Sequence, residues 1–532
     1  MRKIYLFISF IIAGLMSQAQ TIGVRKYNPE TAEGYVLLNP LNYSKTYLLD
    51  NCGRIINNWN ASTSNSAYAE ITPEGTLLKT ENHSNTEFSA GGAAGWIFEQ
   101  SWEGEKIWEY LISDSLMRLH HDIELMPNGN LLAIAWEKKN TIESLIAGRN
   151  PNTLTRGELW PTVIIEIKRI YPDSAEIVWE WHAWDHLVQD YDSTQFNYGD
   201  VSEQIGKLDI NKGNVNNTSD WAHVNAIDYN AELDQIMLSS PMFNELWIIN
   251  HAGTTEDAAT TFGDIMWRWG NPASYNAGDS TDQQLFFQHN GEWITKGSKF
   301  KGAVSVYSNR DIINDTMKSV VKVVQPVFDT ISNKYIQIGL TYLPELPTYE
   351  YVLVDTLMSP RVSGVEIQGN DNILITSGVN GRIIEIDENE KVVWDYLVPI
   401  SGGDIQEQGT QLNRGASVFK LNKYEVSYAG FQDKDLNPFF TIELNGLNCS
   451  TIGVNEVVLS KNNIKVYPNP AKNVVVVESD KIDELLQITD IYGREILTIK
   501  NKHMQELDVS QLASGVYFIK SEKSLPVKFV KE

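Results

Sequence analysis

A pattern of four short strands recurs along the middle of the chain and constrains the fold more than any other feature. It is found in ITPEGTLLKT with GWIFEQSWEGEKIWEYL, in IELMPNGNLLAIAWE with VIIEIKRIYPDSAEIVWEWHAW, and in VEIQGNDNILITSG with GRIIEIDENEKVVWDYL. Turn residues separate the apolar runs, and the last run of each copy carries tryptophan. Four strands per unit at a period of about 40 to 60 residues predict an all-β fold, a β-propeller.

The two ends of this repeated region are each incomplete. GYVLLNPLNYSKTYLLDNCGRIINNWN lacks a first strand, and ASVFKLNKYEVSYAGFQDKDLNPFFTIELNG lacks a last one. Joined in one shared blade, they give a six-bladed propeller, with seven blades as the alternative if each end forms its own. Cys52 and Cys449, the only two cysteines, follow strands of these two fragments, so the shared blade also predicts a disulfide between them.

The first and last segments differ from the repeats. A basic start and an apolar run from Ile4 to Leu15 predict a cleaved signal peptide over residues 1–19. No later run is long and apolar enough for a transmembrane segment. The last residues, 460–532, contain short β-rich runs divided by turns, which predict a small β-sandwich domain.

The charge of the chain limits its partners. Counting 43 Lys and Arg against 68 Asp and Glu gives a net charge of -25, so we expect no binding to nucleic acid. An anionic small molecule must instead be held by a local group of cations.

Three repeats place a histidine at the equivalent position of their first strand, which lines the central channel of a propeller. These histidines are His121, His223 and His289, whereas the other repeats place Ala67, Ser363 and about Gly415 there. Three imidazoles opposite three small residues predict a pocket. A shift of one residue in register would exchange His121 for its neighbour His120. Because the second strands run antiparallel to the first, their ends are expected around the same opening of the central channel. Lys138 and Arg310 are therefore candidate cations beside the histidines.

The segments HHDIELMPNGN, DWAHVNAIDYN and LFFQHN resemble the bacterial arylsulfate sulfotransferase family, whose members use no PAPS and have a six-bladed propeller. The similarity covers residues 30–450. It implies transfer of a sulfuryl group from an aryl sulfate donor to a phenolic acceptor, without a cofactor. His289 matches the histidine that accepts the sulfuryl group, His223 and Asn225 match the HVN pair, and His121 or His120 matches an earlier histidine.

One position departs from this family. Members commonly carry an arginine that contacts the sulfuryl group where this sequence has Pro241. Loss of such a cation costs transition-state stabilisation, and Arg310 or Lys138 is the candidate replacement.

The last residues resemble the C-terminal sorting domain of the type IX secretion system, in YPNP, YGRE and LASGVYFIK. This resemblance implies contact with the secretion machinery. It also implies export through the periplasm to the cell surface or medium of a Gram-negative bacterium of the Bacteroidetes type.

Two other functions remain open from the residues. Three converging histidines can hold zinc or copper in a hydrolase, although no short metal-ligand motif is present, and we expect no metal. A non-catalytic propeller that binds its ligand without chemistry is the other alternative, because Pro241 removes a charged group from the site.

Overall fold

The computed structural model describes residues 20–214, 218–446, 464–479, 485–490, 495–500, 502–521 and 527–532. These residues are nearly all in strands, turns and loops. The chain divides between residues 453 and 454 into two compact units, which are described separately below. No helix in the described ranges has the length and apolar character needed to cross a membrane.

Six antiparallel sheets of four or five strands build the larger unit. We name them A to F. The strands of each sheet are given in their hydrogen-bonded order, beginning with the first strand of the repeat. Sheet A contains Asn65–Ile71, Leu77–Asn82, Gly95–Gln100 and Lys106–Leu111; sheet B contains Met117–Leu125, Leu131–Glu137, Thr162–Ile170 and Ser174–His182; sheet C contains Ala226–Asn230, Gln235–Ser240, Glu245–Asn250 and Trp267–Trp269. Sheet D contains His289–Trp293, Val304–Ile313, Thr316–Val324 and Tyr349–Val352; sheet E contains Gly364–Ile367, Ile373–Ser377, Arg382–Ile386, Val392–Leu397 and Gly23–Tyr27; sheet F contains Asn422–Tyr424, Tyr35–Leu38, Lys45–Asp50 and Ile55–Asn60.

Sheet F joins the two ends of the repeated region. Its first strand, Asn422–Tyr424, pairs antiparallel with Tyr35–Leu38, and Tyr35 lies opposite Tyr424. The two incomplete fragments therefore do share one sheet. The strand Gly23–Tyr27, which precedes the predicted domain start at residue 30, adds to the outer edge of sheet E beside Val392–Leu397.

The hydrophobic core lies between neighbouring sheets. One cluster packs Leu119 and Ile123 of sheet B against Ile97 of sheet A, and others join B to C, C to D, D to E, E to F, and F to A. Every sheet is thus covered on both faces, which explains why a strand such as Leu131–Glu137 is buried along its whole length.

The tryptophans of the last strands connect one sheet to the next. The indole N–H of Trp108 in sheet A donates to the carbonyl of Ser174 in sheet B at 2.8 Å, and Trp181 of sheet B donates to Gly263, which precedes the last strand of sheet C, at 2.8 Å. The same bond recurs from Trp59 to Ser101, from Trp267 to Leu343 and from Trp394 to Asn51. In sheet D the corresponding strand has no tryptophan, and the Tyr349 hydroxyl reaches Glu390 of sheet E instead.

Short elements connect the sheets. Two α-helices span Thr141–Ile146 and Thr255–Ala258, and 3-10 turns span Pro151–Thr153, Ala183–Asp185, Val201–Glu203, Thr261–Gly263, Pro272–Tyr275, Asp355–Leu357, Gly378–Asn380 and Ala429–Phe431. Two-stranded ribbons pair Lys139–Asn140 with Glu158–Leu159, Leu187–Val188 with Leu208–Asp209, Phe328–Asp329 with Lys334–Tyr335, Gln337–Ile338 with Thr341–Tyr342, and Ile400–Ser401 with Asp404–Ile405.

The smaller unit has two antiparallel sheets. One contains Lys465–Tyr467, Val474–Glu478 and Met504–Asp508; the other contains Glu495–Lys500, Leu485–Asp490, Gly515–Ser521 and Val527–Lys531. Val475, Val477, Leu486, Ile519 and Phe529 belong to one buried cluster, so the two sheets share a single core. This arrangement agrees with the predicted small β-sandwich.

Candidate active site

The structure brings together His121, within the first strand of sheet B, His223, three residues before the first strand of sheet C, and His289, which begins the first strand of sheet D. The ring centroids of His121 and His223 lie 4.5 Å apart, with the rings nearly perpendicular. Phe419, three residues before the first strand of sheet F, lies 6.0 Å from the rings of both His121 and His289. The three histidines therefore form one cluster around an aromatic side chain.

The backbone leaves regular strand geometry at each of these positions. His121 and His223 have φ of +55° and +50°, and Phe287 and Asn290 on either side of His289 have φ of +57° and +55°. Residues other than glycine seldom adopt this left-handed conformation, which clusters at functional sites. The pairing of the first strands is irregular at the same points in sheets B and D. These departures turn the side chains away from the sheet ladder.

His289 is fixed by hydrogen bonds at both ring nitrogens. Asn309 uses its Nδ2 to donate to the carbonyls of Ser359 and Val362, at 2.7 and 2.8 Å, so its Oδ1 faces the imidazole as an acceptor. His289 Nδ1 lies 2.8 Å from that oxygen and therefore carries the hydrogen. Nε2 keeps its lone pair, which accepts the N–H of Val362 at 3.1 Å. Burial lowers the pKa of His289 to about 3, so the ring is neutral at neutral pH.

His223 has a carboxylate partner. Its Nδ1 forms a short hydrogen bond with Oδ2 of the buried Asp220, whose Oδ1 accepts the indole N–H of Trp136 at 2.9 Å. This places the Nδ1 hydrogen on the carboxylate side and leaves Nε2 for other contacts. The side chain of His223 is 13% exposed and borders a cavity of about 260 Å³ that Gly91, Trp160 and Met242 also line.

His120 and His121 contact each other, and only His121 belongs to the cluster. Their Nδ1 atoms are 2.8 Å apart, and the His120 ring stacks on Trp136 with centroids 4.1 Å apart. Burial lowers the pKa of His120 to about 3 and that of His121 well below its ordinary value. Gly92 lies against the His121 ring so closely that an added Cβ would be 2.1 Å from Nε2. Only glycine fits there.

The other predicted site residues lie in different surroundings. Asn225 is buried and donates from Nδ2 to the Gln288 carbonyl at 2.8 Å, which ties the start of sheet C to the residue before His289. Lys138 forms ion pairs with Glu87 at 2.7 Å and Glu158 at 3.1 Å, and these carboxylates take up its charge. Neither contact of Lys138 involves a histidine of the cluster.

Arg310 lies nearer to the cluster. The carbon at the centre of its guanidinium is 3.6 Å from the centre of the Phe287 ring, which in turn lies 5.9 Å from the His289 ring. Its Nε donates to the Pro360 carbonyl at 2.8 Å. Pro241 follows the second strand of sheet C and contributes a carbonyl that accepts the N–H of Asn244 at 3.3 Å.

Cys52 is disulfide-bonded in sheet F. Its predicted partner, Cys449, lies outside the described residues. In the part of the chain that the structure describes, no group of three or more His, Cys, Asp or Glu side chains is arranged to hold a metal ion.

A second cavity, of about 500 Å³, lies toward the other ends of the first strands. Tyr68 and the carboxylates Glu70, Glu124, Asp228 and Glu292 line it, together with Lys420. Burial, together with the negative charge of Glu292, raises the pKa of Asp228 to about 7. Because the folded pKa exceeds that of the unfolded chain, this group favours folding most at low pH. Its contribution is lost as pH rises from about 4 through 7.

Comparison with known proteins adds family relationships to this geometry. A family described as arylsulfotransferase (ASST) matches residues 21–399, and the secretion system C-terminal sorting domain matches residues 465–531. Among curated proteins, none matches the sequence.

Solved structures show only a distant likeness. A protein of unknown function from Bacteroides caccae is 10% identical with a TM-score of 0.39, covering 74% of this chain and 98% of that chain. The β-propeller domain of Myceliophteria thermophila Cps50 is 11% identical with a TM-score of 0.37, covering 77% and 94%. The periplasmic gluconolactonase PpgL of Pseudomonas aeruginosa is 10% identical with a TM-score of 0.34, covering 74% and 99%. Scores this low transfer no function.

Proposed function

The chain belongs to the arylsulfotransferase (ASST) family and ends in a secretion system C-terminal sorting domain, and from its histidine cluster we infer an exported enzyme that transfers a sulfuryl group from a phenolic sulfate ester to a phenolic acceptor. The sorting domain supports secretion to the surface of a bacterium of the Bacteroidetes type. We further propose that sheets A to F are the six blades of a closed propeller, because each packs on the next and F packs on A.

The hydrogen bonding of His289 carries this proposal. A nucleophile for sulfuryl transfer needs a free lone pair, and the contact between Nδ1 and Asn309 places that lone pair on Nε2 at every pH above about 3. Nε2 attacks sulfur and the bond from sulfur to the phenolic oxygen breaks, which leaves a sulfohistidine. Asn309 Oδ1 then accepts a hydrogen bond from the positively charged ring and stabilises it.

The Val362 N–H has two successive acceptors in this scheme. In the structure it donates to His289 Nε2, so this bond must break before attack. Once sulfur is bound to Nε2, the same N–H faces the sulfuryl oxygens and donates to one of them. A backbone donor in a fixed place thus supplies part of the stabilisation that the arginine at the position of Pro241 gives in the family.

His223 is the proposed general acid and base. Its Nε2 protonates the departing phenolate, and Asp220 stabilises the imidazolium present before that step. In the second half, His223 removes the proton of the acceptor phenol, whose oxygen attacks sulfur while the bond from sulfur to His289 breaks. His121, neutral and in contact with the His223 ring, and Asn225, which holds the Gln288 backbone, keep the two reacting histidines in place.

Turnover of 4-nitrophenyl sulfate with and without phenol tests the function. We expect nitrophenol release that depends on phenol, and a sulfur label that remains on the protein when phenol is omitted. His289→Ala should lose at least 1000-fold in rate, roughly the contribution of a covalent nucleophile, with an unchanged circular dichroism spectrum. His503→Ala, which changes an exposed histidine of the smaller unit, is the matched control.

Other outcomes would point elsewhere. Full activity of His289→Ala would rule out the covalent route through this residue. Binding of the donor without any release of nitrophenol would favour a propeller that binds aryl sulfates without chemistry. This alternative arises because Pro241 stands where the family has an arginine.

A further inference from the structure

Two arginines beside His289 carry charge that no carboxylate neutralises. Arg310 and Arg361 have no carboxylate oxygen within 4.0 Å in the described residues, although acidic side chains greatly outnumber basic ones in the chain. Arg25, Arg54, Arg169, Arg268 and Arg382 each form an ion pair, whereas Arg118 and Arg149 donate to backbone carbonyls. Lys138, the other predicted cation, has two carboxylates.

Arg310 is held so that one side of its guanidinium remains open. It follows Asn309 in the second strand of sheet D, at a point where the pairing with the third strand is irregular between Ser308 and Asp311. Stacking on Phe287 and donation from Nε to the Pro360 carbonyl fix the plane of the group. The structure gives its two terminal nitrogens no hydrogen-bond partner among the described residues. A planar fork with free donors is the geometry that binds oxyanions.

Arg361 lies in the same turn and repels Arg310. It follows Pro360, which accepts the Arg310 Nε bond, and its own carbonyl accepts the Ser359 hydroxyl at 2.8 Å. Burial lowers the pKa of Arg310, and the positive charge of Arg361 lowers it further. Two neighbouring cations without a counter-charge are unfavourable to each other, and a bound anion removes that cost.

The same turn contacts the nucleophile. Val362, next after Arg361, donates its N–H to His289 Nε2 at 3.1 Å. It does so with φ of +50°, followed by Ser363 at +106°, which is a strained conformation for a β-branched residue. The turn that carries Arg361 is therefore joined to His289 by its next residue, and Arg310 stacks on Phe287, which lies beside the His289 ring.

We propose that Arg310 and Arg361 form an oxyanion-binding site beside His289, which takes the place of the arginine that Pro241 replaces. The ligand is a sulfate or carboxylate group on a substrate. It belongs either to the donor ester or to an anionic phenolic acceptor. The assignment to a substrate rests on the proposed sulfuryl transfer, whereas the anion site itself does not.

Calorimetric titration of the full chain with inorganic sulfate, at low ionic strength, tests the site without turnover. We expect Arg310→Gln and Arg361→Gln each to weaken sulfate binding at least tenfold, the usual range for one charge-assisted contact. Lys301→Gln removes the same charge from an exposed lysine in the turn that precedes Val304–Ile313 and should leave binding unchanged. Equal binding in all variants, or an equal loss in Lys301→Gln, overturns the proposal.

Steady-state kinetics then identify the source of the oxyanion. A raised KM for 4-nitrophenyl sulfate in both arginine variants assigns the site to the donor. A raised KM for 4-hydroxybenzoate, with the KM for phenol unchanged, assigns it to an anionic acceptor. If neither KM changes, the substrate role is wrong. A wild-type protein that binds sulfate but turns over no aryl sulfate contradicts the proposed function and leaves the anion site standing.

Discussion

Asp220 is a buried carboxylate whose two oxygens both have assigned partners. One oxygen accepts the Trp136 indole N–H at 2.9 Å and the other holds His223 Nδ1. A charged group out of water is stable only with such partners, and the imidazolium form of His223 provides the strongest one. Asp220 is therefore a positioning residue that acts through His223.

We expect Asp220→Asn to lower kcat by about 100-fold with a KM for the donor within a few-fold of wild type, because proton transfer rather than binding is affected. The loss should be larger with phenyl sulfate than with 4-nitrophenyl sulfate, whose leaving group needs less protonation. Steady-state kinetics on the two donors measure this difference. An equal loss with both donors would show that Asp220 supports the structure and not the proton transfer.

The sequence located the histidines but not what controls them. Alignment of the repeats put His121, His223 and His289 at equivalent positions, and equivalent positions of the first strands of a propeller are expected to face one another. Asn309, Asp220 and Gly92 act through side-chain directions and close backbone approach that strand periodicity does not encode. A glycine pair such as Gly91 and Gly92 was a usable signal, since glycine permits the contact that the His121 ring makes with residue 92.

At the scale of elements, the recurring tryptophan has a physical explanation that the repeat pattern alone did not supply. Each of these indoles is on the fourth strand of its sheet and donates to a backbone carbonyl in the neighbouring repeat. The sequence showed that a tryptophan recurs in the last run of most repeats. It did not reveal that the residue connects two repeats, because the acceptor is a backbone atom and any residue type provides one.

Trp108→Phe should lower the free energy of unfolding by about 1 kcal/mol, because the fully buried indole of Trp108 loses its partly buried hydrogen bond to the Ser174 carbonyl. Trp96→Phe is the control, since the structure assigns its indole N–H no acceptor among the described residues and it is partly exposed. Urea denaturation of both variants measures the difference. Equal losses would mean that packing, and not the hydrogen bond, accounts for the effect.

At the scale of the whole molecule, we expect the larger compact unit to fold and act without the smaller one. A chain ending at residue 453 keeps sheets A to F and should retain the melting temperature and activity of the larger unit. A chain ending at residue 415 lacks Asn422–Tyr424 and Phe419, so it should melt at a lower temperature and lose activity. Calorimetry and turnover on the two chains test this. A native-like transition in the shorter chain would contradict closure through sheet F.

The joining of the chain ends in sheet F also fixes an order of events in the cell. Tyr35–Leu38 is synthesised early and waits for Asn422–Tyr424, which at ordinary rates of translation takes roughly 20 to 80 s. During that time an edge of the sheet is exposed to wrong partners. The sorting domain is encoded after the closing strand, so a chain cut short before closure never acquires its export address. Every chain that carries the sorting domain therefore also contains the strand that completes sheet F.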